Sequence, residues 1–512
     1  METRTPCRTA VLAAVLTGLL LTASFPPGST QGFAWIALVP LMAAVRGRTR
    51  STRFRLGLAA GGVHFLTLMY WIIVVLEGYG GLPLLLSMLV LLVLTVYLAL
   101  YPALFALLFP WIWRSRLSLL LTAGTWVVLE YARGEFLTGL PWCFIGHSQG
   151  RHLLLIQICD LAGVYGVSFL VVAVNALIFA LIFDRDGGFG RARKLEGAGI
   201  LLLFLLTLGY GSYRLQDMET HVANASSLRT AVIQGNVDQS LKWRPAFQEA
   251  TVDRYTRLSL RAARFHPDLL VWPETAVPYF FQEQGKLSKR IAAVSETTGA
   301  DLLFGSPAYE RSEGHVRYYN RAYLLSPANR SVQRYDKVHL VPFGEYVPLK
   351  RFFPFIHRLV PAAGDFVPGR RINPLQGSGY GAGVLICFEA IFPDLARRQA
   401  REGAQVLVNL TNDAWFGRTS APFQHLAMSA FRSVETRLAT IRAANTGISA
   451  FVDASGRITE RSRLFRESVL VAPVSLAPKH TTFYTAHGDL FVLLLFLSIC
   501  VNLLNFIFHR GL

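Results

Sequence analysis

Charged residues are scarce in this 512-residue chain, at 16% of the sequence, whereas an average globular protein has about a quarter. Acidic residues are fewer than basic ones, with 32 Asp and Glu against 50 Lys and Arg. Hydrophobic residues make up 52% of the sequence. The hydrophobic excess lies before about residue 215 and after about residue 488. We therefore predict a membrane part and, between those limits, an ordinary soluble part.

The surplus of positive charge, +18 overall, does not indicate nucleic-acid binding, because of where the basic residues lie. They cluster in short loops between apolar runs, where such clusters set membrane topology and meet anionic lipid headgroups. The clusters are Arg46 to Arg55, Arg114 with Arg116, and Arg185 to Lys194. We expect membrane lipids, and no nucleic acid, as partners.

Eight apolar stretches are long enough, or nearly long enough, to span a bilayer as helices. They fall at about 9–24, 32–45, 56–76, 82–110, 117–132, 162–183, 196–212 and 489–508. The first two are short for the roughly 20 residues that a span needs, and the first leaves a cleaved signal peptide as an alternative. We predict a multi-pass helical membrane domain over 1–215, a soluble domain over 216–487, and a final span with its tail over 488–512.

The charge of the loops predicts how these spans are oriented. Loops rich in Arg and Lys lie near 46–55, 114–116 and 184–195. The alternate short connections near 25–31 and 77–81 contain no Arg or Lys. The positive-inside rule then places both termini in the cytoplasm and residues 213–487 on the outer side. This predicts a multi-pass membrane protein whose soluble domain faces the outer side of the membrane.

Short β-rich runs alternate with helical segments from Leu228 onward, which indicates an α/β domain with one large core. The predicted strands are Arg229–Gln234, Leu269–Trp272, Asp301–Phe304, Arg321–Leu325, Gly383–Phe388, Val406–Leu410 and Ile448–Val452. The predicted helices include Phe247–Phe265, Lys286–Thr298, Asp394–Glu402 and Pro422–Ala444. The sequence contains no short-period repeat and no low-complexity segment.

Cysteine is rare, with five in the chain, and Cys387 is the only one in the predicted soluble domain. A single cysteine facing an oxidising compartment invites a reactive explanation, with a small buried hydrophobe as the alternative. Cys387 follows the apolar run Val384–Ile386 and precedes a helix start at Glu389–Asp394, so we expect a strand-to-helix elbow. Amide dipoles there favour the thiolate, and backbone N–H groups can stabilise an oxyanion. The remaining cysteines, in or beside spans or in an outer loop, are Cys7, Cys143, Cys159 and Cys500.

Two further segments supply what a thiolate nucleophile needs, a proton acceptor and a group that stabilises the tetrahedral intermediate. Glu274 lies just past a β-run in VWPETAVP, and Lys337 and Glu345 lie in the segment YDKVHLVPFGEYVP. His339 in the same segment is a second candidate base, since Cys–His pairs are common in thiol catalysis. The remaining histidines show no HExxH or similar ligand spacing, so we predict no metal site.

These motifs resemble the Glu-Lys-Cys triad of the nitrilase superfamily, with Glu274 in WPE, Lys337 in DKVHLVPFGEYVP and Cys387 in ICFEAIFP. The eight-span frame, with QGNVDQSLKW at 234–243 and NLTNDAWFG at 409–417, is similar to one branch of it, the apolipoprotein N-acyltransferases. The similarity extends over nearly the whole chain. It implies a nitrilase-like α-β-β-α sandwich, two sheets flanked by helices, in the soluble domain.

The resemblance also implies roles for single residues. By residue match, Glu274 would be the general base, Lys337 the oxyanion stabiliser and Cys387 the nucleophile. Glu345 would support the triad by hydrogen bonding and charge. Because the family pattern uses a glutamate as base, His339 fits a structural role better than a catalytic one.

Other positions near the substrate match the family motifs, without separate steps assigned to them. They are Trp243, Glu389 and Trp415. Phe388 stands where relatives can carry Tyr, so the aromatic surface is retained and the hydroxyl is lost. The aromatic loops Tyr346–Phe355 and Trp415-Phe416 are candidates for amphipathic lids at the bilayer surface, with core packing as the alternative.

The resemblance implies a ping-pong acyl transfer that needs no cofactor. Cys387 would take an acyl chain from a phospholipid, expected to be phosphatidylethanolamine, and pass it to the α-amino group of a diacylglyceryl-modified apolipoprotein. Two rivals are a membrane-tethered amidase with water as acceptor, and a transporter or lipid-binding scaffold with an inactive domain. Charges within the spans are few, with Glu130 and Asp160 near predicted ends, which disfavours a transporter. The intact Glu-Lys-Cys set disfavours an inactive domain.

Overall fold

The computed structural model describes most of the chain and divides it into two compact units. The described residues are 8–28, 30–184, 190–312, 315–328, 330–346, 365–477 and 481–510. One unit consists of Met1–Ile72, Leu85–Leu215 and His487–Leu512, and the other of Ile73–Leu84 and Gln216–Ala486. We call them the helical unit and the sandwich unit. The predicted domain limits after 215 and 487 lie within one residue of these divisions, but Ile73–Leu84 groups with the sandwich unit.

The described residues between 8 and 224, and those from 490 to 510, form α-helices joined by short connections. The α-helices are Arg8–Ala23, Val39–Val45, Arg50–Leu68, Trp71–Gly78, Leu84–Ile112, Ser118–Glu135, Leu153–Ile156, Cys159–Phe183, Arg191–Asn224 and Leu490–Arg510. Short 3-10 helices lie at Gln31–Trp35, Phe136–Thr138 and Ile145–Gln149. Most of these sequences are rich in Leu, Val, Ala and Phe, which gives apolar helices with few polar faces.

Three described helices are long and apolar enough to cross a membrane, namely Leu84–Ile112, Cys159–Phe183 and Arg191–Thr220. A fourth results if the pair Arg50–Leu68 and Trp71–Gly78, bent by 52°, counts as one span. Shorter apolar helices are Arg8–Ala23, Gln31–Val45 and Leu490–Leu504. The apolar helices indicate a membrane protein, but eight spans stay a prediction. Fewer than eight helices of span length are described because several of the predicted spans form helices that are shorter than a membrane span requires.

The buried charges of the helical unit make contacts within it. Asp160 accepts a hydrogen bond from the Tyr210 hydroxyl at 2.8 Å and pairs with Arg214 at 3.0 Å. Glu130 accepts from the backbone N–H of Ile145 at 2.7 Å. These contacts link one helix to another helix or to a neighbouring turn, so the two carboxylates serve the packing of the unit.

The sandwich unit contains two six-stranded sheets. Its strands are β1 Ser227–Gln234, β2 Leu269–Val271, β3 Asp301–Ser312, β4 His315–Ser326, β5 Ser331–Asp336, β6 Leu375–Gln376, β7 Gly381–Ile386, β8 Val406–Thr411, β9 Ala439–Ala444, β10 Ala450–Val452, β11 Ile458–Arg461 and β12 Ser468–Ser475. The first sheet has the order β12-β1-β2-β3-β4-β5, and the second β11-β10-β9-β8-β7-β6. The strands β1-β2-β3 and β7-β8-β9 are parallel neighbours, and the other pairs are antiparallel.

Helices cover the outer faces of both sheets. The α-helices are Gln239–Lys242, Pro245–Ala263, Lys286–Thr298, Pro393–Arg401, Ala421–Thr436 and Phe483–His487, and the 3-10 helices are Phe281–Glu283, Cys387–Ile391 and Asp413–Phe416. One buried core contains Val232 and Leu303 from the first sheet with Val408 and Ile441 from the second, so the sheets pack face to face. Helix residues such as Leu258 and Ile291 share a second core with the outer face of the first sheet.

The second sheet is covered in the same way. Gln399, in the helix Pro393–Arg401, donates to the carbonyl of Val384 in β7 at 2.8 Å. The layers therefore follow one another as helix, sheet, sheet and helix, which is the predicted α-β-β-α sandwich. The carboxyl ends of parallel strands in such sheets are where ligands usually bind.

One predicted helix, Pro422–Ala444, is partly wrong. The helix ends at Thr436, because Arg437 adopts a left-handed conformation with φ of 57°. The following residues Ala439–Ala444 form β9, and all six are buried. A short, fully buried apolar run has no periodicity that separates a strand from a helix, which explains the error.

Candidate active site

Glu274 follows β2 in a turn that packs so closely against β3 that the facing residue of β3 must be a glycine. A Cβ on Gly305 of β3 would lie 2.5 Å from the backbone nitrogen of Thr275 and 2.7 Å from Cα of Glu274. Thr275 itself is left-handed, with φ of 45°, a conformation that costs a non-glycine residue about 1–2 kcal/mol. The close approach to β3 thus holds a strained turn and sets the direction of the Glu274 side chain.

Three charged side chains meet at the ends of β2 and β5. The Nζ atom of Lys337 lies 2.9 Å from Oε1 and 2.8 Å from Oε2 of Glu345, and 3.8 Å from Oε1 of Glu274. The Nδ2 atom of Asn320, on β4, donates to Glu274 at 2.7 Å and to Glu345 at 2.8 Å. Lys337 is 1% exposed and Glu274 7%. The cluster is buried and connected by hydrogen bonds.

Burial and charge shift the pKa values of this cluster in ways that suit acid–base chemistry. Burial works to lower the pKa of Lys337, but the carboxylates of Glu345 and Glu274 outweigh it and raise the pKa above its usual value. Burial raises the pKa of Glu274, Lys337 opposes this shift, and Glu345 adds to it. Lys337 therefore stays an ammonium, and Glu274 is a stronger base than an ordinary carboxylate.

Cys387 forms the elbow after β7, as the sequence predicts, and the elbow is strained. Its φ is 51°, again in the left-handed region, at an expected cost of about 1–2 kcal/mol. The Cys387 carbonyl lies 3.2 Å from Nε2 of His425, and it accepts from Nδ2 of Asn409 at 3.4 Å. Both side chains belong to the half of the site formed by the second sheet.

The Cys387 thiol is not the preformed thiolate that the elbow suggests. Burial raises the pKa of the thiol and the Glu274 carboxylate raises it further, while Lys337 acts in the opposite direction. The helical turn that starts at Cys387 has only five residues, Cys387–Ile391, so its dipole is small and burial dominates. The thiol is protonated at neutral pH and needs a base.

Glu389 joins the two sides of the site. Its Oε1 accepts from the backbone N–H groups of Val338 at 2.7 Å and His339 at 3.1 Å, and its Oε2 accepts from the N–H of Ile386 at 2.6 Å. The Tyr335 hydroxyl donates to both oxygens at 3.1 Å. Burial raises the pKa of Glu389 to about 7, although the backbone N–H groups oppose this shift. With 0% exposure, the carboxyl holds the lysine segment against the cysteine elbow.

His339 is placed for packing. Its ring lies 3.9 Å from that of Phe392 and 5.9 Å from that of Phe388, between ring centroids. Burial and the nearby Lys337 ammonium lower the pKa of His339 to about 4. A neutral imidazole among aromatic rings agrees with the structural role expected from the motif.

The remaining aromatic positions lie in different surroundings. Trp243 ends the helix Gln239–Lys242 and is 45% exposed. The ring of Trp415 packs edge-on against Tyr79 at 5.2 Å, and that of Phe416 against His425 at 6.1 Å. Of the predicted lid Tyr346–Phe355, residues 347–355 lie outside the described residues.

Several polar residues of this site were missed by sequence reasoning. Lys242, 1% exposed, donates to the Thr275 hydroxyl at 2.7 Å and to the Glu274 carbonyl at 3.5 Å. Burial lowers its pKa to about 7, against the opposing effect of Glu274. Asn320 and His425 were missed as well, since neither lies in one of the motifs that carry Glu274, Lys337 and Cys387. Among the described residues, no group of three or more His, Cys, Asp or Glu side chains is arranged to hold a metal ion.

Comparisons with known proteins cover both parts of the chain. Residues 17–177 match the family described as apolipoprotein N-acyltransferase N-terminal domain, and residues 229–478 match carbon-nitrogen hydrolase. The apolipoprotein N-acyltransferase of Geobacter metallireducens is 44% identical over 483 residues, which cover 94% of this chain and 92% of that protein. The protein of the same name from Chlorobaculum tepidum is 31% identical, over 93% of this chain and 92% of its own.

Solved structures show only a distant similarity. The crystal structure of a carbon-nitrogen hydrolase from Helicobacter pylori G27 is 17% identical, covers 49% of this chain and 89% of its own, and gives a TM-score of 0.37. The sequence relatives, in contrast, extend over the helical and the sandwich unit alike.

Proposed function

This chain belongs to the apolipoprotein N-acyltransferase family, and we propose that it moves an acyl chain from a membrane phospholipid, through a thioester on Cys387, to an apolipoprotein. The acceptor is the α-amino group of an N-terminal cysteine that already carries a diacylglyceryl group. The observation that carries this proposal is the buried pair of Glu274 and Lys337, 3.8 Å apart, which acts electrostatically on the Cys387 thiol. A base and a cation beside one protonated thiol suit acyl transfer.

In the first half-reaction Glu274 takes the proton of the Cys387 thiol. The thiolate attacks the ester carbonyl of the phospholipid, with phosphatidylethanolamine as the expected donor, and the Lys337 ammonium stabilises the negative oxygen of the tetrahedral intermediate. The carbon–oxygen bond of the ester then breaks, and the lysophospholipid oxygen receives the proton from Glu274. The raised pKa of Glu274 supports both roles, because the group must take up a proton and release it again.

In the second half-reaction the lipoprotein amine attacks the thioester. Glu274 accepts a proton from the amine, Lys337 again stabilises the oxyanion, and the carbon–sulfur bond breaks to give an amide. Glu274 then gives this proton to the Cys387 thiolate, which returns both groups to their resting state. Glu345 holds the Lys337 ammonium in place through hydrogen bonds of 2.9 and 2.8 Å, which supports its predicted helper role.

The membrane placement forms part of the same proposal. Arg and Lys cluster in alternate loops, which supports cytoplasmic termini and a catalytic domain on the outer side of the bacterial inner membrane. Both substrates are anchored in the bilayer, so a catalytic domain tethered by apolar helices meets them without extraction. A cysteine-accessibility experiment in intact cells, with a thiol reagent that does not cross the membrane, tests this orientation.

The direct test uses purified full-length protein in detergent with phosphatidylethanolamine and a synthetic diacylglyceryl-cysteine lipopeptide. Mass spectrometry of the lipopeptide measures the added acyl chain. We expect acylation by the wild type and none by the Cys387→Ala variant. Full activity of Cys387→Ala would sink the thioester route.

Omission of the lipopeptide separates acyl transfer from hydrolysis. With phospholipid alone, the peptide containing Cys387 should gain the mass of one acyl chain and keep it, because water is a weaker nucleophile than an amine. Rapid loss of this acyl group in the absence of an amine would instead indicate an amidase-like hydrolase.

A further inference from the structure

The Cys387 carbonyl is held by side chains that the proposed mechanism does not use. Nε2 of His425 lies 3.2 Å from this oxygen, and Nδ2 of Asn409 lies 3.4 Å from it. The residue whose carbonyl they hold is the strained one, with φ of 51°. Two donors on one carbonyl of a left-handed residue restrict the rotation that would relax the elbow.

Arg442, fully buried in β9, connects these two donors. One of its terminal nitrogens donates to Oδ1 of Asn409. The other lies 2.7 Å from Oδ2 of Asp413 and 3.1 Å from Nδ1 of His425. A Cβ on Gly447 would lie 2.4 Å from Oδ2 of Asp413, so the neighbouring backbone packs tightly against this network.

The contacts require a proton on Nε2 of His425. A carbonyl oxygen only accepts, so Nε2 must donate to Cys387. Burial and the Arg442 guanidinium lower the pKa of His425, against the opposing effect of Asp413. Nδ1 of the ring lies 3.1 Å from a terminal nitrogen of Arg442 and 3.1 Å from Oδ1 of Asp413. The ring therefore supplies a hydrogen bond to the backbone of Cys387 through Nε2 and is held by both charged groups through Nδ1.

We propose that His425 is a positioning residue for the nucleophile, which fixes the Cys387 elbow through the carbonyl oxygen while Arg442 fixes His425 and Asn409. Because a peptide unit is planar and trans, a fixed Cys387 carbonyl also fixes the opposite direction of the Phe388 N–H. The thiol and the following amide then keep one orientation toward the reacting carbonyl. Only the acyl donor used in the test is taken from the proposed function. The positioning role itself does not depend on it.

The experiment compares two amide substitutions of His425 in the full-length protein. The His425→Gln variant places its amide nitrogen near the position of Nε2 and keeps a donor to Cys387. The His425→Asn variant is shorter, so its amide reaches only the position of Nδ1, beside Asp413 and Arg442. Both variants are polar and similar in size, and thermal unfolding of each in detergent checks the fold.

Single-turnover acylation by phosphatidylethanolamine gives the first measurement. We expect His425→Asn to lower the rate constant by about 10²-fold, the effect of misplacing a reacting group by about 1 Å, with the half-saturating phospholipid concentration unchanged. We expect His425→Gln to keep most of the wild-type rate. Equal rates for the two variants, whether fast or slow, would overturn the positioning role.

Alkylation of Cys387 by chloroacetamide, followed by mass spectrometry, gives a second measurement that needs no lipid. The same order of rates, wild type close to His425→Gln and both faster than His425→Asn, supports the inference even if phospholipid proves not to be the donor. If the three alkylation rates are equal, the inference fails, while the proposed acyl transfer is unaffected.

Discussion

The two sheets contribute unlike halves to one active site. The half from the first sheet contains the ionisable groups Glu274, Lys337 and Glu345, which contact each other directly or through Asn320. The half from the second sheet presents the Cys387 thiol, and its supporting side chains contact the backbone of that residue. In the first half the charged groups tune one another, whereas in the second half the buried pair of Arg442 and Asp413 fixes the geometry of the backbone at Cys387 through His425.

Each half nevertheless contains one strained residue at a strand end. Thr275 has φ of 45° beside Glu274, and Cys387 has φ of 51°. Close packing at Gly305 retains the first, and hydrogen bonds to a carbonyl retain the second. The contrast predicts that substitutions in the first half change proton transfer, whereas those in the second change orientation.

The largest effect in the charged half should come from Glu274→Gln. The amide keeps the shape and the contact with Asn320 but cannot accept a proton from the thiol. We expect single-turnover acylation to fall by about 10²–10⁴-fold, the usual contribution of a general base. Thermal unfolding of the variant should match that of the wild type, and an undiminished acylation rate would remove Glu274 from the mechanism.

A smaller loss of acylation rate should follow from Gly305→Ala, which removes no ionisable group. The new Cβ would lie 2.5 Å from the Thr275 nitrogen, so the turn that carries Glu274 must shift. We expect about a 10²-fold lower rate constant for acylation, as for other small misplacements. The matched control is Gly285→Ala, where nothing lies within 4 Å of the new atom and the rate should not change.

Charge substitutions around Glu274 should move the pH dependence in opposite directions. The Glu345 carboxylate raises the pKa of Glu274, whereas the ammonium groups of Lys337 and Lys242 lower it. The acidic limb of the pH profile for acylation should therefore move to lower pH in Glu345→Gln and to higher pH in Lys337→Met. Shifts of the same sign would show that another group governs this limb.

The smallest effect should come from a surface ion pair outside both halves of the active site. Arg257 and Glu467 are 2.8 Å apart, with side chains 52% and 33% exposed. We expect Arg257→Ala to change the free energy of unfolding by less than about 0.5 kcal/mol and to leave acylation unchanged. A large loss of activity would mean that charge outside the site tunes it as well.

The sequence predicts the reacting groups of this site better than the residues that hold them in place. Glu274, Lys337 and Cys387 lie in motifs beside β-runs, where type and spacing identify them. Asn320 acts on Glu274 across 46 residues and His425 on Cys387 across 38, and no local pattern indicates such contacts. The thiol pKa is also invisible in sequence, because it depends on how deeply the elbow is buried.

The fold shows the same division between local and non-local information. The helix Lys286–Thr298 is predicted with its observed limits, since its amphipathic pattern and the following left-handed Gly299 are local signals. β9 was predicted as helix because a buried apolar run has no period of its own. For the membrane part, hydropathy locates the apolar segments, but the length of each helix depends on its packing partners.

The pairing of β1 with β12 has a consequence for the origin of such a protein. Ser227, the first residue of β1, lies opposite Ser475, the last residue of β12, and paired antiparallel residues are about 5 Å apart. A domain that begins and ends on neighbouring strands can be spliced between two helices of a host protein without stretching either connection. The continuous segment from β1 to β12, which leaves out Ile73–Leu84, therefore has the form of a module that a gene insertion can add between two helices.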